Sequence, residues 1–496
     1  MSSLTLPARN RFEALFRIGA FSPAAAWSLA GSVLTLIVCL SVGSAILGDP
    51  DTQWHIATGR WMIEHGTLPH NDMLSHTFAG QPWIAKEWLS QLLLTGAYLT
   101  GGWTGVVLLA SLAVALSVYL IMIYGSRGHD QHWGYAAGLL AFVLVAPTVV
   151  ARPHLLVFPI VVAWTLALMG SAETTRRPPW FALPLMILWA NLHAAFTIGL
   201  VIAAGLGLEA VLKAEHAKRP KIFGEWLAFG LACLAAIAVT PYGLEPLLLN
   251  VKLASGNEAV QYISEWQVLP IFSTRGATLL LVAAASLYAL AQKPLENAAR
   301  LLLVACLTYA AVRHDRFGMF FGLVTPIVAG AALVEVMRNV SRRLDLFQDV
   351  PYLTKPDMAH VTSAGLALAG VAILLMKPIA PPEKVFPATA LDRVPAALRQ
   401  ERVFNSYNLG GFLAYNNIKT FIDGRTDQLF LGGFMTRVIQ ASSATEAGPL
   451  AALLDEYEVK WAMIRATAPE ATLFPRLPGW QLLHEDPATH IYKRLP

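Results

Sequence analysis

The chain has 496 residues, of which 55% are hydrophobic and only 14% charged, with a net charge of +4. Soluble globular proteins carry about 25% charged and about 45–50% apolar residues, so this composition excludes an ordinary soluble enzyme, a disordered chain and a fibrous one. No basic run is dense enough to suggest nucleic acid, and Cys39, Cys233 and Cys306 fall inside apolar stretches without metal-ligand spacing.

Apolar runs near the length of a membrane span recur from residue 26 to residue 378, which predicts a polytopic α-helical membrane protein. Eleven spans are expected, at 26–47, 104–124, 132–149, 154–171, 179–192, 195–213, 222–240, 276–292, 298–312, 317–337 and 361–378. The first lies too deep in the chain, and is too poor in a small-residue cleavage site, to be a removed leader. Segment 88–101 is apolar but too short to cross, and reads as a helix at the interface or dipping into it. Lys and Arg set the orientation. With residues 1–25 in the cytoplasm, the loops on that side hold 16 basic residues and the opposite loops hold 7. An odd number of spans then places the tail outside. The membrane domain is thus 26–378, with large outer loops at 48–103 and 241–275.

The PIAPP stretch at 378–382 ends the last span, and the tail, 379–496, changes composition. Strands are expected at Arg402–Asn405, Lys419–Asp423, Lys460–Arg465, Gln481–Glu485 and His490–Arg494, with helices at 410–416, 431–441 and 447–457. That pattern is a small α/β domain.

This topology collects nearly every unusual polar cluster on the outer face. Ionisable groups at membrane depth are costly and are usually functional or paired. In the first outer loop, Asp49 and Asp51 follow the first span directly, and His55 lies one helical turn after Asp51. A carboxylate there can act as a general base or, with Asp49, Asp51 and His55 together, hold a divalent cation such as Mg or Mn. It can equally cap a helix over 52–64, with Asp49 favouring the helix dipole. Asp72, His76 and Glu87 follow on the same loop. Asn191 and His193 read either as a polar break between spans or as a ligand contact. Arg152 and His154 lie between two closely joined spans, where a lone Arg can simply snorkel. In Arg313-His314-Asp315-Arg316, two Arg side chains can clamp a phosphate bidentately, or pair with Asp315. Glu258 and Glu265 are competing partners on the same face. In the tail, Tyr407 belongs to the richest stretch. Asp423 and Arg425 leave the end of an expected strand, where α/β proteins place binding residues, or else pair across a tight turn. Neither GxSxG, HExxH nor a Walker A motif occurs.

Taken together, these elements resemble a known group. GDPDTQWHIATGRWMIEHG with its later Asp resembles the first outer loop of GT-C superfamily glycosyltransferases. The oligosaccharyltransferase catalytic subunits of that superfamily carry an Asp-Pro-x-x-(His/Asn) element there, then an amphipathic helix, a Gly and a later Asp. SYNLGGFLAYNNIKTFIDGRT lies where they have a WWDYG motif, and LLDEYEVKWAMI is similar to the strand that follows it. The whole chain also resembles bacterial GT-C-like membrane proteins with DPDTxWH, NLH, RH and FIDGR in this order.

The resemblance implies a multi-pass protein of the bacterial inner membrane with a periplasmic tail. It implies a polyprenyl-phosphate-linked sugar donor, a glycan, lipid or protein acceptor, and inverting transfer at the outer leaflet. Asp51 or Asp49 would take the acidic catalytic or metal position. Arg313, His314, Arg316, Arg152 and His154 would serve the donor phosphate. His55, Asp72, His76, Glu87, Asn191, His193 and Glu265 would complete the pocket, with Tyr407, Asp423 and Arg425 from the tail. The WWDYG pattern is reduced to NSYNLGG, which argues against protein N-glycosylation. The competing reading is a non-catalytic polysaccharide-assembly scaffold or a lipid-linked-glycan transporter. A transporter should show internal repeats and broken helices near the midplane, and no clear repeat is found.

Overall fold

The computed structural model describes residues 22–128, 131–174, 176–254, 256, 261–344, 356–376 and 378–496. Most of the expected N-terminus, with Arg9, Arg11 and Arg17, lies outside them, as do Glu258 and Lys355.

Fourteen helices of the membrane domain carry the argument. α1 is Pro23–Ser41, α2 Asp51–His65, α3 Trp88–Gly128, α4 Gln131–Val145, α5 Phe158–Glu173, α6 Leu183–Leu192 and α7 Phe196–Leu212. α8 is Arg219–Ile237, α9 Glu245–Ala254, α10 Thr274–Ala291, α11 Ala298–Arg313, α12 Gly318–Val328, α13 Gly330–Leu344 and α14 Pro356–Met376. Among the described residues six helices are long and apolar enough to cross a membrane. A seventh span is available if α12 and α13, bent by 65° at their junction, form one. Three shorter apolar stretches, His132–Thr148, Trp180–Leu192 and Phe196–Leu212, accompany them. Leu112, Leu116, Leu231, Leu281, Leu302 and Leu368 point outward from these helices, as side chains facing lipid do.

Local chemistry explains the breaks. α1 starts on Ser22, whose hydroxyl accepts the Ala25 N–H, with Pro23 in the first turn. α2 ends on Gly66 at φ 63°, a left-handed stop that glycine adopts without a Cβ penalty. α3 is two helices that meet at Gly102 (φ 57°, ψ −150°), where the backbone leaves helical geometry, between the expected short helix at 88–101 and the following span. Pro326 inside α12 cannot donate to the carbonyl one turn back, just before the 65° bend.

Arg300, one of the 16 basic residues expected on the cytoplasmic side, is buried between helices. Its guanidinium donates to Glu209 at 2.6 and 2.8 Å and to Glu173 at 2.7 Å, pinning α11 to α7 and α5.

The tail carries α15 (Gly410–Tyr415), α16 (Phe434–Ser442), α17 (Gly448–Glu456) and a four-stranded sheet. The strands are β1 Val403–Asn405, β2 Trp461–Arg465, β3 Trp480–Glu485 and β4 Thr489–Arg494. They lie in the order β1-β2-β4-β3, with β1 parallel to β2 and the other pairs antiparallel. One expectation fails here, the strand at 419–423. Thr420 pairs with the first outer loop instead. Its N–H donates to Leu74 O at 2.9 Å, and its carbonyl accepts the His76 N–H at 2.9 Å. The Asn405 side chain bonds Phe421 N and Ile422 O, 2.8 Å each, and replaces a ladder there.

The tail and the first outer loop therefore share a core. Trp54, Trp83 and Ile84 of the loop pack with Phe404, Phe421, Phe430 and Phe434 of the tail. Gln428 exchanges two 3.1 Å bonds with the Ile84 backbone, and Lys86 pairs with Asp427. Gly411 lies so close over α2 that a Cβ would meet the Pro50 carbonyl at 2.0 Å.

Candidate active site

The junction of the loop, the tail and the helix ends encloses a cavity of about 580 Å³. Asp49, Asp51, His55, Glu87, Arg152, His154, His193, Glu265, Arg316, Tyr407 and Arg425 all line it.

Asp49 and Asp51 divide the two roles weighed for them. Asp49 Oδ1 accepts the Asp51 backbone N–H at 2.8 Å, so Asp49 does the capping. Asp51 is the first residue of α2, and its Oδ2 meets Arg152 Nη2 at 2.9 Å. Asp49 lies 3.4 Å from Arg152 Nη1, and Glu265 pairs with that same nitrogen. Burial raises the Asp51 pKa to about 7, with the charges of Asp49 and Glu265 adding to the shift and Arg152 opposing it. An acid of that strength can accept a proton near neutral pH. Burial also pushes Glu265 up, but Arg152 and Arg316 outweigh it and hold this carboxyl below its usual range.

Gly424 closes over Asp51, where a Cβ would lie 2.0 Å from Asp51 Oδ1. Gly424→Ala must therefore displace the carboxylate from Arg152. Overpacking of this kind costs about 1–3 kcal/mol. We expect the variant to keep a cooperative melt at a lowered melting temperature; an unchanged melting temperature would mean that the Asp51 carboxylate yields to the methyl group at no cost.

Beneath Asp51, Glu87 lies between two histidines. His193 Nε2 is 3.4 Å from Glu87 Oε1, and His55 Nε2 is 3.9 Å from Oε2. The Ala195 N–H donates to His193 Nδ1 at 3.1 Å, which puts the ring proton on Nε2, facing Glu87. Burial holds both imidazoles well below their usual pKa and raises that of Glu87, so the rings are neutral at pH 7.

Arg316 differs from the other cavity cations. Lys86 pairs with Asp427, Arg275 with Asp315 at 2.6 Å, Arg425 with Asp72 and Asp423, and Arg152 with its three carboxylates. Arg316 makes no ion pair with a described carboxylate and stacks over Trp266, 4.6 Å from the ring centroid. Segment 266–269 is zipped to the end of α11 by His314 Nδ1 to Trp266 O (2.7 Å), Asp315 N to Gln267 O (3.0 Å) and Leu269 N to Val312 O (3.0 Å). The expected pairing of Arg313 or Arg316 with Asp315 does not form, because Arg275 takes that carboxylate.

Several expected site residues lie elsewhere. Arg313 is exposed and His314 is held by the Trp266 carbonyl, so neither lines the cavity. Asn191 is fully engaged, accepting Trp88 Nε1–H and donating to Ile187 O and Val239 O, 2.8 Å each. His76 Nε2–H donates to the Val403 carbonyl, 2.8 Å away, in the shared core. Asp72 and Asp423 flank Arg425 in a triad without solvent exposure: Asp72 at 2.6 Å, and Asp423 through two 2.8 Å bonds. Asp423 does not leave a strand end, and the pairing alternative for Asp423 and Arg425 describes the structure. Lys86, Trp266, Arg275 and Gly424 were missed. Trp266, beside Glu265, and Gly424, between Asp423 and Arg425, carried the available signal.

The cation set Asp49, Asp51 and His55 does not assemble. The two carboxylates turn to Arg152, whereas His55 faces Glu87 and Gln91. Among the described residues no group of three or more His, Cys, Asp or Glu is placed to hold a metal ion.

No protein-family model matches the sequence, and no curated protein matches it. Solved structures do match the fold. The archaeal oligosaccharyltransferase AglB from Archaeoglobus fulgidus, in complex with an inhibitory peptide and a dolichol-phosphate, is 12% identical, with a TM-score of 0.52 over 87% of this chain and 69% of that one. The apo form of an oligosaccharyltransferase from the same organism gives 13% identity and a TM-score of 0.54, over 88% and 69%. ArnT from Cupriavidus metallidurans in the apo state gives 14% identity and 0.51, over 93% and 97%. These are GT-C glycosyltransferases, and the GT-C-like resemblance of this chain extends to its fold.

Proposed function

We propose that the protein is a membrane glycosyltransferase that moves a sugar from a polyprenyl-phosphate donor to an acceptor hydroxyl. The acceptor is a glycan, lipid or protein at the outer face of a bacterial inner membrane. In this reading the chain crosses eleven times, with its N-terminus cytoplasmic and its tail periplasmic. The observation that carries it is one cavity holding a buried acid with a pKa of about 7 and an arginine that makes no contact ion pair with a described carboxylate.

Asp51 removes the acceptor proton as the hydroxyl oxygen attacks the anomeric carbon from the face opposite the phosphate, and inversion follows. Arg316 meets the phosphate oxygens as the C–O bond breaks and negative charge builds on them. Stacking on Trp266 holds its guanidinium in place before the donor arrives. The dolichol-phosphate in the AglB complex is the kind of ligand such a site would take.

Arg316→Ala should lower donor use by about 2–3 kcal/mol, or roughly 30–150-fold, through loss of a charge-assisted contact. Arg313→Ala, outside the cavity, should change it little. Glycan profiling of a deletion strain complemented with each variant reads the difference. Equal effects of the two variants would sink the phosphate assignment, and an unchanged glycan profile on deletion would sink the transferase.

A further inference from the structure

Asp49, Asp51 and Glu265 bring three carboxylates to one side of the cavity, and a single side chain stands among them. Arg152 Nη2 meets Asp51 Oδ2 at 2.9 Å, while Nη1 faces both Asp49 Oδ2 at 3.4 Å and Glu265 Oε1. Hard divalent cations such as Mg or Mn are bound through carboxylate and water oxygens. Here those oxygens are directed at guanidinium N–H groups, and a metal ion entering between them would meet a fixed positive charge.

The arginine is held from behind. The Ala151 N–H donates to Ile46 O at 2.8 Å, at the end of the first apolar segment. The buried Thr52 hydroxyl donates to Ala151 O at 2.9 Å, tying this turn to α2 next to Asp51. Both peptide groups of residue 151 are thus fixed to the elements that carry the acids. Pro153 follows and limits the backbone of Arg152 to the extended region it occupies (φ −126°, ψ 163°).

We propose that Arg152 is the built-in counter-cation of this site: it supplies among Asp49, Asp51 and Glu265 the positive charge that a divalent metal would otherwise bring, and positions Asp51 without one. Metal-independent sugar transfer is the consequence, and that part rests on the function proposed above. The counter-cation role itself does not, because it can be read with the metal alone.

The test uses the full-length protein in detergent, with Mn²⁺ as the probe followed by electron paramagnetic resonance, alongside thermal unfolding. Wild type should bind no stoichiometric Mn²⁺, and its melting temperature should not move with Mn²⁺. Arg152→Gln removes the charge and leaves three like charges together, so it should melt lower, bind about one Mn²⁺ per chain and regain stability with it. If Arg152→Gln is recovered folded only when Mn²⁺ is present throughout purification, the result has the same meaning. Arg152→Lys keeps a positive charge and should stay folded and bind no Mn²⁺. Stoichiometric Mn²⁺ binding by wild type or by Arg152→Lys overturns the proposal, as does a folded Arg152→Gln that binds none. In transfer assays a chelator should leave wild-type activity unchanged. Loss of activity with the chelator would overturn metal independence and leave the transferase reading standing. No transfer under any condition would remove the transferase reading, while the Mn²⁺ measurements would still decide the role of Arg152.

Discussion

Asp51→Asn will keep the fold and slow transfer by roughly 10²–10⁴-fold, the usual effect of removing a general base. Asn has nearly the shape of Asp, and the start of α2 does not depend on the Asp51 side chain, because Asp49 accepts the backbone N–H there. The charge is what goes. In the proposed reaction wild type should also show an acid limb. Asp51 accepts a proton only when ionised, and its pKa is raised to about 7, so activity should rise with pH through about 7 and level off above it. The variant should lack that limb. Asp49→Asn should cost far less, about 0.3–1 kcal/mol, if Asp49 only favours the helix start. Measured rates and pH profiles of both variants decide it. Full activity in Asp51→Asn together with loss in Asp49→Asn would exchange the two roles.

Arg425→Met should be the most destabilising single change in the tail, by about 3–5 kcal/mol, because it strands Asp72 and Asp423 without their partner in a site closed to water. Thermal unfolding in detergent measures it. The triad joins residues 353 positions apart and fastens the first outer loop to the tail, so the variant should also admit protease to the tail junction. A loss below about 1 kcal/mol would mean that the triad relaxes or hydrates, which its lack of exposure argues against. Arg425 also lies over the Trp83 ring at 5.0 Å, so part of the loss would be packing.

These two sites show how far the sequence reaches. The membrane helices were legible because a long apolar run has few other uses, and most observed helices overlap the expected spans; the expected span 317–337 is two helices meeting at 65°, and six described helices are each long and apolar enough to cross. The α/β character of the tail was legible from alternating periodicity, and four of five expected strands form. The fifth, 419–423, has a strand-like composition but spends its backbone bonds on residues 74–76. No local pattern encodes a partner more than 300 residues away.

For the site, the sequence determined which chemical groups stand at the helix ends: Asp51 after the first apolar run, Arg152 before Pro153, Arg316 at the start of α12. Their spacing along the chain could not say which cation meets which anion. Arg152 and Arg316 are both arginines at apolar boundaries, yet one is surrounded by three carboxylates and the other stacks on Trp266 without a contact ion pair to a described carboxylate. Asp49 and Asp51, two residues apart, separate into a cap and a buried acid for the same reason. Charge pairing and burial depend on distances of a few ångströms between segments far apart in sequence, and only the packing of loop, tail and helix ends fixed those distances.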